Sequence, residues 1–398
     1  MTGNTQSSTA TPDRKPAVGS AKTPAVVQII PELETGGAEQ GTIDVAVAIK
    51  KYGWKSIVVS HGGAKVADLQ RAHVEHVTLP VHSKNPWTIL RNAKRIERLV
   101  RADGVDIIHV RSRAPAWSAL LAARRTGRPL VTTFHGTYNA GNRLKHLYNS
   151  AMVRGDRVIA ISNFIADHVR ERFNVDDSRL VTVPRGINLE RFDPATVTAE
   201  RMIKLSTEWR LPDGAEVAML PGRLTRWKGH MVLLEALEEI GRDGVFALIV
   251  GDDQGRTEYR GELEAKIKAL KVEDRVRIID TCKDMPAAYM LADVVVSAST
   301  DPEAFGRVPV EAQAMGRPLV ATRHGGARET VDDGKTGWLV RPNDSKALAW
   351  GIRAALQMDA EKRAEMAELA RAWVEERFTV DRMCAETMAV YRSLLSDR

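Results

Sequence analysis

Two glutamates with a regular spacing are the first residues of this sequence that could do chemistry. Glu303 and Glu311 have seven residues between them, in the run EAFGRVPVE. Pro309 suits the first turn of a helix, so we expect a helix over Pro309–Met315 that stops at Gly316. Glu303 would then lie in the loop before it. Glu311 could merely favour the helix dipole, or its carboxylate could accept hydrogen bonds from paired sugar hydroxyls.

The backbone between the two glutamates is a candidate anion site. Free N–H groups at a helix N-terminus bind phosphate oxygens well. We therefore expect the segment that leads into this helix to contact a phosphorylated ligand, through Phe305, Gly306, Arg307 and Val308.

A basic pair occupies a second loop, in the run GRLTRWKG. Arg223 and Lys228 flank this loop between a predicted strand and a predicted helix over His230–Ile240. A planar guanidinium and a mobile ammonium together suit a diphosphate, which carries several charged oxygens. On an open, solvated loop the same pair would contribute little.

Two further loops could complete a ligand site. Gly36 and Gly37 follow the first predicted strand and open a helix, where glycines let the backbone approach a ligand. The run is not GxGxxG, so it lacks a dinucleotide fingerprint and could also be an ordinary turn. His135 ends the strand PLVTTF, where a side chain projects towards ligands of a parallel sheet. Glu329, in the glycine-rich run GGARE, is interpreted as structural.

These residues follow short apolar strands that alternate with amphipathic helices, which is typical of parallel sheets covered on both faces. Helices are predicted over Glu39–Lys51, Trp87–Arg101, Tyr259–Leu270, Ala360–Phe378 and Val380–Leu395. Strands are predicted over Ala25–Ile30, Lys55–Ser60, Val105–Val110, Pro129–Phe134, Arg157–Ser162, Leu180–Val183, Val217–Leu220, Phe246–Val250, Arg275–Ile279, Val294–Ala298 and Pro318–Ala321.

The pattern predicts two doubly wound, Rossmann-like α/β domains that face each other across a cleft. We expect a disordered polar tail over residues 1–24, a first domain over 25–187, a second domain over 188–378 and a final helix over 379–398. The 398 residues are enough for two such cores.

The charge is distributed unevenly along the chain. Residues 1–187 carry 27 Lys and Arg against 15 Asp and Glu, whereas residues 188–398 carry 31 against 36. A basic first half favours an anionic partner or simply aids solubility.

Two cysteines far apart predict neither a disulfide framework nor a zinc site, and a reducing cytoplasm is the simplest setting. With 5% aromatic residues and no recognition motif, no nucleic-acid partner is expected.

Taken together, these motifs resemble the GT-B-fold retaining glycosyltransferases of family GT4. The matching runs are GGAE, HG at His135, SNF, VPRGIN, GRLTRWKG, the E-x7-E pair, GGARE and GKTGWLV, in order from about residue 25 to 345. The resemblance implies that Glu303 contacts the donor sugar and Glu311 the ribose. It also implies that Arg223 and Lys228 hold the diphosphate, that the Gly36–Gly37 loop closes on it, and that His135 lines the sugar. The resemblance further implies an acceptor-side domain over 25–187, a nucleotide-sugar-binding domain over 188–378 and a final helix over 379–398 that crosses back to the first domain. No metal or other cofactor is expected.

The run from HVRSRAPAW to HGTYN is similar to glycosyltransferases of bacterial lipopolysaccharide core assembly. This implies a nucleotide-sugar donor, a glycan or glycolipid acceptor and an anionic membrane surface met by the basic first domain. The protein is accordingly expected in the cytoplasm, peripheral on the inner face of the inner membrane. Arg307 departs from the family pattern. A nucleotide-sugar epimerase of the same architecture is the alternative, and a binding module without transfer activity is a third class.

Overall fold

The computed structural model describes residues 22–138, 141–241, 244–255 and 257–396. The predicted tail over residues 1–24 therefore lies almost wholly outside the described residues.

Thirteen parallel strands form two separate sheets in the described residues. The first sheet has seven strands in the order β3-β2-β1-β4-β5-β6-β7, and the second has six in the order β10-β9-β8-β11-β12-β13. The strands are β1 Ala25–Ile29, β2 Lys55–Ser60, β3 Glu75–Thr78, β4 Ile107–Val110, β5 Leu130–Phe134, β6 Arg157–Ala160, β7 Leu180–Thr182, β8 Glu216–Pro221, β9 Val245–Val250, β10 Val276–Ile279, β11 Val294–Ser297, β12 Leu319–Thr322 and β13 Trp338–Val340.

Fifteen α-helices connect and cover these strands within the described ranges. They are α1 Gly37–Lys51, α2 Val66–Arg71, α3 Pro86–Ala102, α4 Arg113–Thr126, α5 Arg143–Asn149, α6 Asn163–Phe173, α7 Ala199–Trp209, α8 His230–Ile240, α9 Thr257–Leu270, α10 Met285–Leu291, α11 Arg307–Ala314, α12 Ala327–Thr330, α13 Ser345–Leu356, α14 Ala360–Arg377 and α15 Val380–Ser396.

The predicted doubly wound architecture is confirmed, because both sheets are parallel and have crossover helices. All eleven predicted strands are present, with ends within two residues of the prediction. The prediction missed β3 and β13, which are short, partly exposed edge strands without a continuous buried run. Such strands lack the apolar signal that marks a central strand.

The helix after Glu303 begins earlier than the sequence suggested. It starts at Arg307 rather than Pro309, because Gly306 takes a left-handed conformation (φ +83°) and turns the chain directly into the helix. Glu311 therefore lies in the second turn of α11, away from the helix end where a dipole-stabilising acid would act. This placement weakens the explanation of Glu311 by the helix dipole.

The chain passes between the two domains at two places, and the two connecting segments pair with each other. Ile187 bridges Thr379 in parallel, with the Ile187 amide donating to the Phe378 carbonyl at 2.8 Å and the Val380 amide to the Ile187 carbonyl at 3.0 Å. A Cβ on Gly186 would lie 2.3 Å from the Thr379 carbonyl oxygen, so only glycine allows this approach. The boundary at residues 187 and 188 stays a prediction, and this paired crossing lies beside it.

Helix α15 packs on the first sheet and completes its core. Its buried residues Met388 and Tyr391 belong to the apolar cluster that contains Val26 and Ile107 from that sheet. The Tyr391 hydroxyl lies 2.5 Å from Nδ1 of His109, whose Nε2 lies 2.7 Å from the Thr133 hydroxyl. Burial, and then the nearby Arg111 charge, hold the pKa of His109 well below its usual range. The neutral imidazole of His109 thus links helix α15 to strands β4 and β5 through hydrogen bonds.

Removing the hydroxyl of Tyr391 should destabilise the first domain. Tyr391→Phe leaves a buried imidazole nitrogen of His109 without its partner, which costs about 1–3 kcal/mol of the free energy of unfolding. Urea unfolding curves of the variant and the parent protein measure this loss. Tyr52→Phe is the matched control, because Tyr52 is half exposed and should leave stability unchanged. Equal losses in the two variants would contradict the role of this hydrogen bond.

Candidate active site

A cleft of about 740 Å³ lies between the carboxyl edges of the two sheets. Loops of both domains line it, as expected for ligand sites of parallel α/β sheets. The structure brings nine of the eleven predicted site residues into its wall: His135 from the first domain, and Arg223, Lys228, Glu303, Phe305, Gly306, Arg307, Val308 and Glu311 from the second.

The first glutamate is paired with the basic loop. Oε1 of Glu303 accepts hydrogen bonds from the Lys228 ammonium at 2.8 Å and from the Ser299 hydroxyl. Both charged side chains are mostly shielded from solvent, with exposures of 15% and 12%. Arg223 is exposed at the cleft wall. One cation of the predicted pair is therefore held in place, while the other extends into open space.

The second glutamate is buried and held at both oxygens. Oε2 of Glu311 accepts from the Tyr289 hydroxyl at 2.8 Å, and Oε1 accepts from Arg307 at 2.5 Å. Burial, and then the negative charge of Glu311, raise the pKa of Tyr289 well above its usual range, so this hydroxyl remains a donor. Attraction to the Glu311 carboxylate is the main cause that raises the pKa of Arg307. Arg307, which the family pattern did not explain, thus positions Glu311.

The loop that carries Glu303 is shaped by the glycines of GGARE. A Cβ on Gly325 would lie 2.4 Å from the Glu303 carbonyl oxygen, and one on Gly326 would lie 2.4 Å from that of Phe305. The Gly326 amide also donates to the Glu303 carbonyl at 2.8 Å. These glycines therefore approach the protein's own loop, and they fix the entry into α11.

His135 faces the cleft as a neutral donor. Nη2 of Arg185 lies 2.8 Å from Nδ1 of His135. Burial, followed by the charges of Arg185 and Arg111, holds the pKa of His135 well below its usual range. Because Arg185 can only donate, we assign the proton of the neutral ring to Nε2. This buried Nε2 has no partner among the described residues.

The two glycines at the start of α1 are placed differently from each other. Gly37 lines a smaller cavity beside the cleft, and a Cβ there would lie 2.1 Å from Nη1 of Arg185. Gly36 is the N-cap residue, in extended conformation, and lines neither space. The assignment of Gly36 and Gly37 to donor binding stays a prediction.

Contacts across the cleft connect the two domains. The Glu329 carboxylate accepts from the backbone amides of Asn163 at 2.8 Å and Phe164 at 2.6 Å, so a residue of the second domain caps helix α6 of the first. The Ser162 hydroxyl donates to the Ala304 carbonyl at 2.5 Å. The structural interpretation of Glu329 agrees with this geometry, which joins the loop beside Glu303 to the opposite domain.

Sequence reasoning missed several residues that face the cleft or support it, namely Arg111, Arg185, Tyr289 and Ser299. Arg111 directly follows β4, and Arg185 lies in the run VPRGIN just after β7. Their position beyond the carboxyl ends of parallel strands could have identified them, as it identified His135. Tyr289 lies in α10 and has no comparable signal, because its contact with Glu311 is a product of tertiary packing.

No group of three or more His, Cys, Asp or Glu side chains suited to a metal ion occurs in the described part of the chain. Within the same ranges, none of the helices has the length and hydropathy required to cross a bilayer.

The two facing parallel-sheet domains and the cleft between them define the architecture, and sequence comparison shows the family. The model "Glycosyltransferase Family 4" matches residues 35–191, and "Glycosyl transferases group 1" matches residues 203–373. The two matches together span most of both domains. The chain belongs to the GT4 family of glycosyltransferases and has the GT-B fold, as the motifs predicted.

Individual relatives agree with this assignment. The D-inositol 3-phosphate glycosyltransferase of Xylanimonas cellulosilytica is 32% identical over 315 residues, which cover 73% of each chain. A crystal structure of a glycosyltransferase from Rickettsia africae is 36% identical, covers 95% of this chain and all of its own, and superposes with a TM-score of 0.89. Anabaena HepE, solved in complex with UDP, is 25% identical, with coverages of 93% and 100% and a TM-score of 0.81.

Loss of the Glu329 carboxylate should loosen the contact between the domains. Glu329→Ala removes two charge-assisted hydrogen bonds, each worth roughly 1.5–3 kcal/mol when shielded. We expect a larger radius of gyration for the ligand-free variant in small-angle X-ray scattering. Arg328→Ala, which changes the exposed neighbour, should scatter like the parent protein. Identical scattering from all three proteins would contradict a closing role for Glu329.

Proposed function

We propose that this glycosyltransferase moves a hexose from a nucleotide-diphosphate sugar to a glycan or glycolipid acceptor, with retention of the anomeric configuration. The observation that carries the proposal is the grouping of Lys228, Glu303 and Glu311 on one wall of the cleft, opposite His135. This arrangement offers cations for a diphosphate beside carboxylates for sugar hydroxyls.

A nucleotide sugar as donor is supported by the complexes of HepE, which were solved with UDP, with UDP and glucose, and with UDP-glucose. In the proposal, Glu303 contacts the donor sugar and Glu311 the ribose. The Glu311 oxygens already accept from Tyr289 and Arg307, and each carboxylate oxygen keeps a lone pair for a hydroxyl. The epimerase alternative gains no support, because the relatives from Xylanimonas cellulosilytica and Rickettsia africae are both named glycosyltransferases.

The chemical step in this proposal depends on charge stabilisation at the leaving diphosphate. Arg223, Lys228 and the free N–H groups that begin α11 neutralise the negative charge that develops on the diphosphate. The acceptor hydroxyl attacks the anomeric carbon from the face that the diphosphate leaves, the bond from that carbon to the diphosphate oxygen breaks, and the hydroxyl proton passes to the leaving oxygen. The proposal uses neither a covalent nucleophile nor a metal, and it assigns to His135 a hydrogen bond from Nε2 to the transferred sugar.

We place the acceptor in the cell envelope, as in lipopolysaccharide core synthesis, with the enzyme peripheral on the inner face of the inner membrane. The motif resemblance supports this, and so does an apolar, basic face of the first domain. That face, the α3–α5 face, has four exposed apolar side chains, Trp87, Leu90, Leu144 and Leu147. The exposed bases of the two helices include Arg91, Lys94, Arg95, Arg98, Arg143 and Lys145.

Both helices of the α3–α5 face pack on α4. The Ser118 hydroxyl of α4 donates to the Ile89 carbonyl of α3 at 3.0 Å, and Nε1 of Trp117 donates to the Tyr148 carbonyl of α5 at 2.9 Å. Apolar side chains that insert at an interface, with bases that attract anionic lipid, are the features of a peripheral membrane surface.

Two substitutions in the cleft test the donor site. Lys228→Met removes a cation from the diphosphate and leaves Glu303 unpaired, so the transfer rate should fall by roughly 10²–10³. Glu311→Gln removes the charge that accepts ribose hydroxyls and should weaken nucleotide binding by about tenfold. Radiolabelled sugar transfer and calorimetric nucleotide binding measure the two effects.

The control is Lys335→Met, which changes an exposed lysine outside the cleft. A preceding thermal-shift screen of UDP, GDP and ADP sugars identifies the donor, since a ligand of the folded state raises its apparent stability. Wild-type transfer rates in both cleft variants would refute the site, and a screen without any shift would refute the donor class.

The α3–α5 face is tested as a membrane-binding surface with lipid vesicles in which about a fifth of the lipid is anionic phosphatidylglycerol. Replacing Trp87 and Leu144 by Ser removes two side chains that are 76% and 77% exposed, and we expect at least tenfold weaker sedimentation with the vesicles. Trp350→Ser is the matched control, because Trp350 is 60% exposed on the other domain. Equal sedimentation of the double variant and the control would argue against the α3–α5 face.

A further inference from the structure

A cavity of about 120 Å³ extends from the cleft into the first domain, between α1 and the ends of strands β5 to β7. A single water needs roughly 10–15 Å³ of such space, so the cavity has room for a larger group. It shares His135, Arg185 and Arg307 with the cleft, and Arg111, Gly37 and Asp44 line its inner part. A group bound there would therefore lie next to a sugar held in the cleft.

Unpartnered donors converge on this cavity. Arg111 is 4% exposed, and within the described ranges its side chain makes one hydrogen bond, from Nη1 to Gln28 at 2.9 Å. Its buried Nε has no partner among the described residues, and the same holds for Nε of Arg185. Buried donors are normally satisfied, so two unpartnered guanidinium nitrogens beside one cavity indicate a missing acceptor.

The charges in the cavity point to the same conclusion. Arg307 forms an ion pair with Glu311. Arg111 and Arg185 have no carboxylate within ion-pair distance in the described chain. Burial, and then the charges of Arg307 and Arg111, lower the pKa of Arg185 to about 9. A shielded guanidinium among like charges is unfavourable until an anion joins it.

Helix α1 adds to this positive field. Arg185 lies against Gly37 in the first turn of α1, where a Cβ would be 2.1 Å from Nη1. A cation at a helix N-terminus opposes the helix dipole, whereas an anion between them interacts favourably with both.

We propose that this cavity binds an oxyanion carried by the acceptor, a phosphate or a carboxylate, through Arg111 and Arg185. The inference rests on the proposed function, because it takes Arg223 and Lys228 as the site of the donor diphosphate. The acceptor is then an anionic, hydroxyl-bearing molecule whose charged group anchors it beside the donor sugar.

The carboxylate of Asp44 provides a hydrogen-bond acceptor for a hydroxyl group of the acceptor molecule. Asp44 is the carboxylate in the cavity wall, its Oδ1 accepts from Nε2 of Gln40 at 2.8 Å, and burial raises its pKa. A carboxylate would repel an oxyanion but accepts hydrogen bonds from a neighbouring hydroxyl. The acceptor class is therefore a sugar or polyol with an acidic substituent.

The test is calorimetric titration of the full-length protein with inorganic phosphate, and separately with acetate, at constant ionic strength. The titrations are made with the protein already saturated by the nucleoside diphosphate that binds it best. We expect saturable binding of one oxyanion in addition to the nucleotide. Tighter phosphate binding assigns a phosphorylated acceptor, and tighter acetate binding assigns a carboxylated one.

Variants of the two guanidiniums identify the site. Arg111→Met and Arg185→Met should each weaken oxyanion binding by about tenfold or more, because each removes a charge-assisted hydrogen bond. Without added oxyanion, Arg185→Met should also raise the unfolding temperature, since it removes an uncompensated charge. A purely structural arginine would give the opposite sign. Arg226→Met, an exposed arginine of the other domain, is the control and should change neither property.

Three results would overturn the inference. They are competition between phosphate and the nucleotide, unchanged oxyanion affinity in both variants, and an absence of oxyanion binding while nucleotide binds normally. Failure of the proposed function gives a different result, in which no nucleotide binds at all. Oxyanion binding that depends on Arg111 and Arg185 would then still support the cavity as an oxyanion site.

Discussion

The parallel arrangement of both sheets is the constraint on which the rest of the molecule depends. All strands of a parallel sheet end at one edge, so every loop after a strand collects there. Two such edges face each other here, and His135, Lys228 and Glu303 meet across one cleft although they are far apart in the chain. The chemistry of the site is therefore the sum of short loops, each contributing one or two side chains.

The shielded charged side chains of the cleft and its adjoining cavity differ in whether they have an ion-pair partner. Lys228 with Glu303, and Arg307 with Glu311, are paired, and Tyr289 and Ser299 supply the additional hydrogen bonds that such pairs need. Arg111 and Arg185 have no carboxylate partner in the described chain. The paired residues are preorganised before a ligand arrives, whereas the unpaired ones hold electrostatic energy that an anionic ligand would release.

Much of the fold could be predicted because central parallel strands are continuous apolar runs, as in VFALIV of β9. Edge strands β3 and β13 were missed because they are short and only partly buried, so they lack a continuous apolar run. The rule that ligands lie beyond the carboxyl ends of parallel strands pointed to His135, which lines the cleft, and the same rule applies to Arg111 and Arg185. The contacts of Glu311 with Tyr289 and Arg307, and of Glu329 with helix α6, depend on how helices pack in three dimensions, which the local sequence pattern does not encode.

The return of α15 to the first sheet also constrains how the protein is made. A ribosome releases the N-terminal half first, and most domains synthesised early fold early. Here Met388 and Tyr391 belong to the core around Val26 and Ile107, and His109 depends on Tyr391 for a buried hydrogen bond. The first domain therefore cannot complete its core until α15 has left the exit tunnel, whereas the second sheet, complete at Val340, can form earlier. The domain that is synthesised first thus depends on a helix that is synthesised after the second sheet.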